Sequence, residues 1–115
     1  ALCGSAHASP DDARAAFAPF LARFRAALAG PDPEALADGT RLPFRYGGQD
    51  LDRAGFVRFV PELFAPPVGA CLASARPVRE DDRFMLFCPP YGFYFGRDGE
   101  RWRLLEFGAD GEDAP

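Results

Sequence analysis

A hairpin signal near the C-terminus constrains the fold of this chain more than any other feature. The segment FYFGRDGERWRLLEF, residues 93–107, places two runs rich in aromatic and apolar residues on either side of an Asp-Gly dipeptide. Asp-Gly between such runs is typical of a two-residue turn that joins antiparallel strands. With Asp98 and Gly99 as the central turn residues, one face of the hairpin receives three opposed pairs: Phe95 with Trp102, Phe93 with Leu104, and Tyr91 with Glu106.

This register divides the hairpin into two unlike faces, because successive side chains of a strand point to opposite sides. The face that holds these pairs is apolar except at its far end, so we expect it to face the core. The other face is mixed and pairs Gly96 with Arg101, Tyr94 with Arg103, and Gly92 with Leu105. Tyr94, Arg101 and Arg103 are therefore a candidate interface on the outer face of the sheet, with simple solvation as the alternative.

The same reasoning extends the sheet across Pro89-Pro90. If these prolines make a tight turn, the preceding strand adds three inward pairs: Cys88 with Tyr91, Leu86 with Phe93, and Phe84 with Phe95. A tight Pro-Pro turn also favours a cis peptide bond. In this arrangement Cys88 points toward the helical part of the chain, where Cys71 lies.

Cys71 and Cys88 are the candidate partners of a disulfide bond. In an oxidising compartment the bond closes a loop of roughly 18 residues, which in the chain-entropy account stabilises the fold by about 3 kcal/mol. The bond requires Cα atoms within about 7 Å of each other. The alternative is two buried free thiols.

Helical patterns come first in this chain and strand patterns follow. Apolar residues recur at helical spacing over residues 10–29, after the capping residue Ser9. The other predicted elements are a short helix between Asp32 and Gly39, a short strand at 42–46, a helix capped by Asp52 and ended by Pro66-Pro67, a helical turn or two at 68–75, and strands at 76–80, 83–88, 91–96 and 101–107. This order predicts a single α+β domain over residues 9–108, with the helices packed on one face of a curved antiparallel sheet.

Length and charge exclude several classes of protein. A chain of 115 residues fits one domain. The net charge of -4 argues against a nucleic-acid binder, which normally carries a basic stripe. A membrane span needs an apolar run of about 18 residues or more, and the sequence has none.

The first eight residues, ALCGSAHA, end in the A-x-A pattern Ala6-His7-Ala8. This pattern is typical of the end of a secretory signal peptide, and an ordinary N-terminal arm is the alternative. Removal of residues 1–8 leaves an even pair of cysteines, which favours a periplasmic or secreted location. Lipoprotein anchoring at Cys3 stays open, and residues 109–115 are predicted to form an acidic, frayed tail.

The order of elements resembles the nuclear transport factor two-like superfamily, a cone-shaped α+β fold also found in ketosteroid isomerases and scytalone dehydratases. The matching segments are FAPFLARFRAALAGPDPEAL, LPFRYGG, FVRFVPELF and the final hairpin, within residues 10–108. The superfamily includes isomerases, dehydratases, ligand binders and non-catalytic modules that dimerise through the sheet, so the resemblance implies no single activity. The residues expected to line such a cone, with space for a small apolar ligand, are Phe17, Phe56, Phe93 and Trp102.

Tyr91 and Glu106 are the candidate catalytic residues. A carboxylate that faces a half-buried cavity can shuttle a proton, and a tyrosine hydroxyl beside it can polarise a ligand carbonyl. This resembles the ketosteroid isomerases, although no catalytic residue of that family aligns onto this chain. The alternative is that Glu106 lies at the rim of the sheet and contacts water or an arginine.

Other chemistry has little support in the sequence. The single histidine is His7, and neither Cys71 nor Cys88 has a histidine neighbour, so we expect neither a Cys–His nucleophile nor a His-ligated metal. No nucleotide-binding motif occurs, and we expect no cofactor.

Three functions follow from these patterns. The preferred one is a small exported, non-catalytic domain that binds a protein partner, or a second copy of itself as a homodimer, through the outer face of the sheet. The second is a cone that binds a small apolar ligand, with isomerase-like proton transfer, and the third is an accessory envelope protein that belongs to a larger assembly. The first is preferred because the residues offer no convincing pair of catalytic groups.

Overall fold

Within residues 10–109, which are the part of the chain described by the computed structural model, four helices and six strands form an α+β fold. The helices are α1 Pro10–Ala29, α2 Pro33–Asp38, α3 Arg53–Leu63 and α4 Pro66–Ser74. The strands are β1 Phe44–Tyr46, β2 Gln49–Leu51, β3 Val78–Glu80, β4 Arg83–Cys88, β5 Tyr91–Asp98 and β6 Arg101–Ala109. The predicted α+β class is confirmed.

The predictions for the two ends of the chain lie mostly outside the described residues. This applies to residues 1–8 with Cys3 and His7, to the cap Ser9, and to residues 110–115. Ala109, expected to begin the tail, is the last residue of β6.

Side-chain caps explain where two of the helices begin. The Asp32 carboxylate accepts a hydrogen bond from the Ala35 N–H at 3.1 Å, and Pro33 occupies the first turn of α2. At the start of α3, the Asp52 carboxylate accepts from the Gly55 N–H at 2.8 Å. A cap of this kind satisfies one of the free N–H groups of the first turn and is worth about 1 kcal/mol. Both starts agree with the sequence prediction.

The segment between α3 and the main sheet differs from the prediction. Pro66 and Pro67, expected only to end the preceding helix, are the first residues of α4, which runs to Ser74. Proline suits this position because the N–H that it lacks has no partner in the first turn of a helix. The helical turn or two predicted at 68–75 is thus part of a longer helix.

A small hairpin precedes α3. Strands β1 and β2 pair antiparallel around Gly47 and Gly48, whose φ angles are 59° and 82°. Glycine adopts positive φ at little cost, which other residues do not. The predicted strand at 42–46 is confirmed over Phe44–Tyr46, whereas β2 is absent from the prediction because only one of its three residues is apolar.

The main sheet is an antiparallel meander in the order β3-β4-β5-β6. The pairs between β4 and β5 include Phe84 with Phe95, Leu86 with Phe93, and Cys88 with Tyr91. The Pro89-Pro90 peptide bond is cis. Both the register and the cis bond predicted for this hairpin are confirmed.

The register of the β5–β6 hairpin differs from the prediction. Asp98 pairs with Arg101, so the central turn residues are Gly99 and Glu100 rather than Asp98 and Gly99. Gly99, with φ of 68°, occupies the first central position, as glycine does in a type II′ turn. Near the turn, the partner of each β5 residue lies two positions further along β6 than predicted, so every side chain stays on its predicted face. The observed pairs are Phe95 with Leu104, Gly96 with Arg103, and Arg97 with Trp102.

A β-bulge reverses the faces in the last part of β6. The register shifts between Tyr94 and Phe95, and Tyr94 pairs with Glu106, which leaves Leu105 as the extra residue. One extra residue turns every following side chain to the opposite side. Glu106 therefore lies on the outer face and Phe107 on the inner face, which is the reverse of the prediction.

The core lies between the helices and the inner face of the main sheet. Phe17 of α1 stacks on Phe84 of β4 with ring centroids 4.6 Å apart. Phe24 of α1 meets Phe95 of β5 edge-on at 5.4 Å. Each phenylalanine buried in this way contributes roughly 1.5–3 kcal/mol to stability. We call the opposite surface of the main sheet the outer sheet face; its residues are Val78, Glu80, Arg83, Met85, Phe87, Gly92, Tyr94, Gly96, Asp98, Arg101, Arg103, Leu105, Glu106 and Gly108.

Candidate functional site

The outer sheet face carries two large hydrophobic side chains in contact with water. Val78 on β3 is 48% exposed and Phe87 on β4 is 43% exposed. Val78 pairs with Met85, and Met85 pairs with Tyr94, so an apolar and aromatic row crosses three strands. A row of this kind on an open sheet is a surface suited to another protein.

Charged groups of both signs surround this row. The Arg83 Nη1 atom lies 2.8 Å from the Glu106 Oε2 atom. The Arg83 guanidinium also lies over the Tyr94 ring, 4.6 Å from its centroid. The predicted interface residues Tyr94, Arg101 and Arg103 belong to the same face, although their partners across the strands differ from those expected.

Gly96 explains how the bulge fits into the sheet. A Cβ atom at this position would lie 2.8 Å from Leu105 Cδ1, which is too close for two carbon atoms. The missing side chain therefore lets Leu105 lie flat across β5 on the outer sheet face. A side chain at position 96 would require the end of the Leu105 side chain to move.

The predicted catalytic residues do not meet across the sheet. Tyr91 pairs with Ala109 and faces the core, whereas Glu106 points outward and binds Arg83. The bulge at Leu105 is the physical reason. The alternative interpretation, in which Glu106 contacts an arginine at the surface, is confirmed.

A different tyrosine–carboxylate pair lies near Tyr91. The Tyr46 hydroxyl donates a hydrogen bond to Glu62 Oε2 at 2.7 Å. Tyr46 and Tyr91 both pack on Phe107, with centroid distances of 5.9 and 5.6 Å. The bond to Glu62, together with partial burial, raises the pKa of Tyr46 above its ordinary value of 10.0. This hydroxyl is a fixed donor that stays protonated at neutral pH.

The sequence contains no signal for the Tyr46–Glu62 pair. The two residues are 16 positions apart, one on β1 and one on α3, and no motif joins them. Glu62 is exposed, so the pair lies at the surface rather than in a cavity.

The four residues expected to line an internal cavity are Phe17, Phe56, Phe93 and Trp102. The first three are 1%, 0% and 0% exposed and belong to the packed core. Phe95 lies 5.7 Å from the Phe17 ring, and Phe64 lies 6.2 Å from the Phe93 ring and 6.4 Å from the Phe56 ring. Only Trp102 lines either of the two clefts described below.

The predicted disulfide bond between Cys71 and Cys88 is present, with Cα atoms 5.8 Å apart. It joins α4 to the end of β4. Arg25 of α1 holds the C-terminal end of α4, because its side chain donates to the Leu72 carbonyl at 2.8 Å and also to the Ala75 carbonyl. The last carbonyls of a helix lack helical partners, so a cation there is favourable. Helix α4 is thus fixed to both the sheet and α1.

An apolar cleft of about 530 Å³ lies among the helices. Its walls come from the end of α1, the start of α2, the end of α3, and α4; they include Leu28, Leu36, Val60, Phe64, Ala70 and Ala73. Among the described residues, no charged side chain lines this cleft. Its volume is typical of small-ligand sites.

A second cleft, of about 790 Å³, has the opposite chemistry. It lies between α1, the residues that follow α2, and the β5–β6 turn. Trp102 forms part of its wall. Its polar lining consists of four arginines and two carboxylates: Arg23, Arg53, Arg101, Arg103, Asp38 and Glu100. We call it the arginine cleft.

Residues 10–109 contain no group of three or more His, Cys, Asp and Glu side chains that could hold a metal ion. Within that range no single helix has the length and apolar character needed to cross a membrane; α3 and α4 meet these criteria only together, as a pair bent by 91°.

No protein-family model matches this sequence, and no curated protein matches it.

Proposed function

We propose that this protein is a non-catalytic binding domain that pairs with a second copy of itself through the outer sheet face. The observation that carries the proposal is the exposure of Phe87 and Val78 on one open surface. In a monomer both side chains stay in water, whereas a partner that covers them gains roughly 25 cal/mol for each Å² of apolar area buried.

The charge pattern of the outer sheet face supports a copy of the same chain as the partner. The face carries three residues of each sign: Glu80, Asp98 and Glu106 against Arg83, Arg101 and Arg103. In a two-fold pair the same surface meets itself, so arginines of one copy can lie opposite carboxylates of the other. A partner of one dominant sign gains less from such a balanced surface.

The area of the outer sheet face sets the expected strength of the dimer. The four strands contain 3, 6, 8 and 9 residues, and at about 3.3 Å per residue and 4.8 Å between strands they offer roughly 400 Å² on each copy. A total of about 800 Å² is typical of weak, transient interfaces rather than of stable ones. We therefore expect a weak dimer whose population depends on protein concentration.

Sedimentation velocity over a hundredfold range of concentration tests the proposal. The wild-type chain is expected to shift toward a dimer as concentration rises, and Phe87→Glu is expected to stay monomeric. Ala22→Glu, which adds the same charge at an exposed position of α1, is the matched control and should behave like the wild type. A wild-type chain that stays monomeric throughout, or a Phe87→Glu variant that still dimerises, contradicts the proposal.

Export and the superfamily resemblance belong to the same proposal. The Cys71–Cys88 bond supports a periplasmic or secreted location, because such bonds persist in oxidising compartments. Alkylation of protein taken from its own host without reductant tests this, and two reactive thiols would be evidence against it. The nuclear transport factor two-like resemblance is supported by the order of helices and strands, and superposition of an experimental structure on members of that superfamily tests it.

The apolar cleft favours a second candidate function, the binding of a small apolar ligand. The neutral fluorescent probe N-phenyl-1-naphthylamine is expected to bind there and to brighten. Ala70→Phe fills the cleft and should abolish the signal, whereas Ala18→Phe, at an exposed position of α1, should leave it unchanged. Equal brightening with both variants rules out binding in this cleft.

A further inference from the structure

The arginine cleft concentrates positive charge in an acidic protein. Four arginines line it against two carboxylates, although the whole chain has a net charge of -4. A concave surface lined mainly by one sign of charge focuses the electric field and attracts ligands of the opposite sign. The cleft therefore favours an anion.

One of the four arginines is already held by two carboxylates, and a second lies near another carboxylate. The Arg53 Nη2 atom lies 2.8 Å from Glu34 Oε1 and 2.9 Å from Asp38 Oδ1. The Arg103 Nε atom lies 3.7 Å from Asp98 Oδ2, which is too long for a hydrogen bond. This nitrogen is buried and has no hydrogen-bond partner within residues 10–109.

The other two arginines, Arg23 and Arg101, are exposed. Neither makes an ion pair with any residue that the structure describes. They come from α1 and from the start of β6, so they approach the cleft from two separate elements. A planar anion between them could accept hydrogen bonds from both guanidinium groups.

The edge of β6 adds a backbone donor. The Leu104 N–H donates to the Gly39 carbonyl at 2.7 Å, and the Leu104 carbonyl accepts from the Arg41 N–H at 2.8 Å. Alternate residues of an antiparallel strand direct their N–H and C=O groups to the same edge. Trp102, two residues before Leu104, therefore directs its backbone N–H toward this edge, where it lines the cleft.

The rest of the lining is apolar. Ala16, Pro19 and Phe20 of α1 form one wall, and Leu42 lies in the segment that follows α2. An occupant that satisfies both parts of the lining has an anionic head and an apolar body. The volume of about 790 Å³ accommodates a small organic molecule.

We propose that the arginine cleft binds a small organic carboxylate with an apolar or aromatic body. Arg23 and Arg101 hold the carboxylate, because the guanidinium fork matches its two oxygens. The backbone N–H of Trp102 donates to the same group, and the apolar body lies against Phe20 and Leu42. This site shares Arg101 and Arg103 with the outer sheet face, but it does not include Phe87 or Val78, the exposed side chains on which the proposed dimer depends.

A nuclear magnetic resonance titration of the full chain tests the proposal directly. Trp102 is the single tryptophan, so one indole N–H signal reports on the wall of the cleft. Benzoate is expected to move this signal in a saturable way. Benzyl alcohol, which has the ring without the charge, and inorganic phosphate, which has the charge without the ring, are each expected to bind at least tenfold more weakly.

Two variants connect the signal to the arginines. Arg23→Gln and Arg101→Gln are each expected to weaken benzoate binding about tenfold, the usual effect of losing one charge-assisted hydrogen bond. Arg58→Gln, an exposed arginine of α3 outside the cleft, is the matched control and should leave binding unchanged. All three positions are exposed, so thermal unfolding should confirm an intact fold.

Three results would overturn the proposal: no benzoate shift, equal shifts with benzoate and benzyl alcohol, or benzoate binding that both glutamine variants leave intact. None of them affects the proposed dimer, which sedimentation of Phe87→Glu tests separately.

Discussion

Phe84 and Phe87 lie three residues apart on β4 and belong to opposite surfaces of the same sheet. Phe84 is 0% exposed and stacks on Phe17 of α1 at 4.6 Å. Phe87 is 43% exposed, and its strand partner is Gly92. One residue type thus stabilises the fold on the inner face and stays available for binding on the outer sheet face.

The largest expected effect compares these two residues directly. Phe84→Ala should lower the free energy of unfolding by about 3–5 kcal/mol, because it removes a buried ring and leaves a cavity. Phe87→Ala should lower it by less than about 0.5 kcal/mol in the monomer, because the ring is half exposed. Urea denaturation at low protein concentration measures both. Similar losses at the two positions would remove the distinction between the faces.

The disulfide bond should give the next largest effect. Reduction of Cys71–Cys88 is expected to lower the free energy of unfolding by about 3 kcal/mol, because the open chain regains its loop entropy. Urea curves with and without dithiothreitol measure this. The Cys71→Ala/Cys88→Ala variant is the control, and its curve should not respond to reductant. Dimer formation should survive reduction, since both cysteines lie away from the outer sheet face. A reduced protein that folds but stays monomeric would show that dimer formation depends on the disulfide bond.

A smaller effect is expected at two glycines of the outer sheet face. Gly96→Ala should destabilise the fold by about 1 kcal/mol, because the new methyl group meets Leu105. Gly92→Ala is the matched control: its added Cβ lies 3.5 Å from Met85, an ordinary contact, so its effect should be within about 0.5 kcal/mol of zero. Leu105→Ala should restore the loss in the double variant. Equal effects at both glycines would mean that the bulge does not depend on Gly96.

The sequence could predict the inner face better than the outer one. Phe84, Leu86 and Cys88 alternate without interruption up to Pro89-Pro90, so one register buries them all. That register points Cys88 toward the helices, which makes its bond to Cys71 a candidate. The packing of the inner face is therefore largely a local property of the sequence.

The second hairpin shows where local reasoning ends. Asp98-Gly99 fits a turn with glycine in either central position, and only the pairing of the whole strands selects between them. The bulge places the adjacent residues Leu105 and Glu106 on the same face, which strict alternation does not predict. The face on which Glu106 lies depends on both the position of the turn and the bulge.

The clefts could not be predicted for a related reason. Arg23, Arg53 and Arg101 come from three elements that are far apart in the chain. Their meeting depends on the angles at which α1, α3 and β6 pack. No spacing in the sequence records those angles.

The smallest effect is expected at Glu106, which the bulge places on the outer sheet face. Glu106→Gln should change the free energy of unfolding by at most about 0.5 kcal/mol, because the ion pair with Arg83 is largely exposed, and the change should shrink in high salt. If Glu106 faced the core as strict alternation predicts, its charge would be costly to bury, and its removal would stabilise the fold by more than about 1 kcal/mol regardless of salt. Urea curves at low and high salt distinguish these outcomes. A large, salt-independent gain would place Glu106 beside Tyr91 after all and would restore the acid–tyrosine pair.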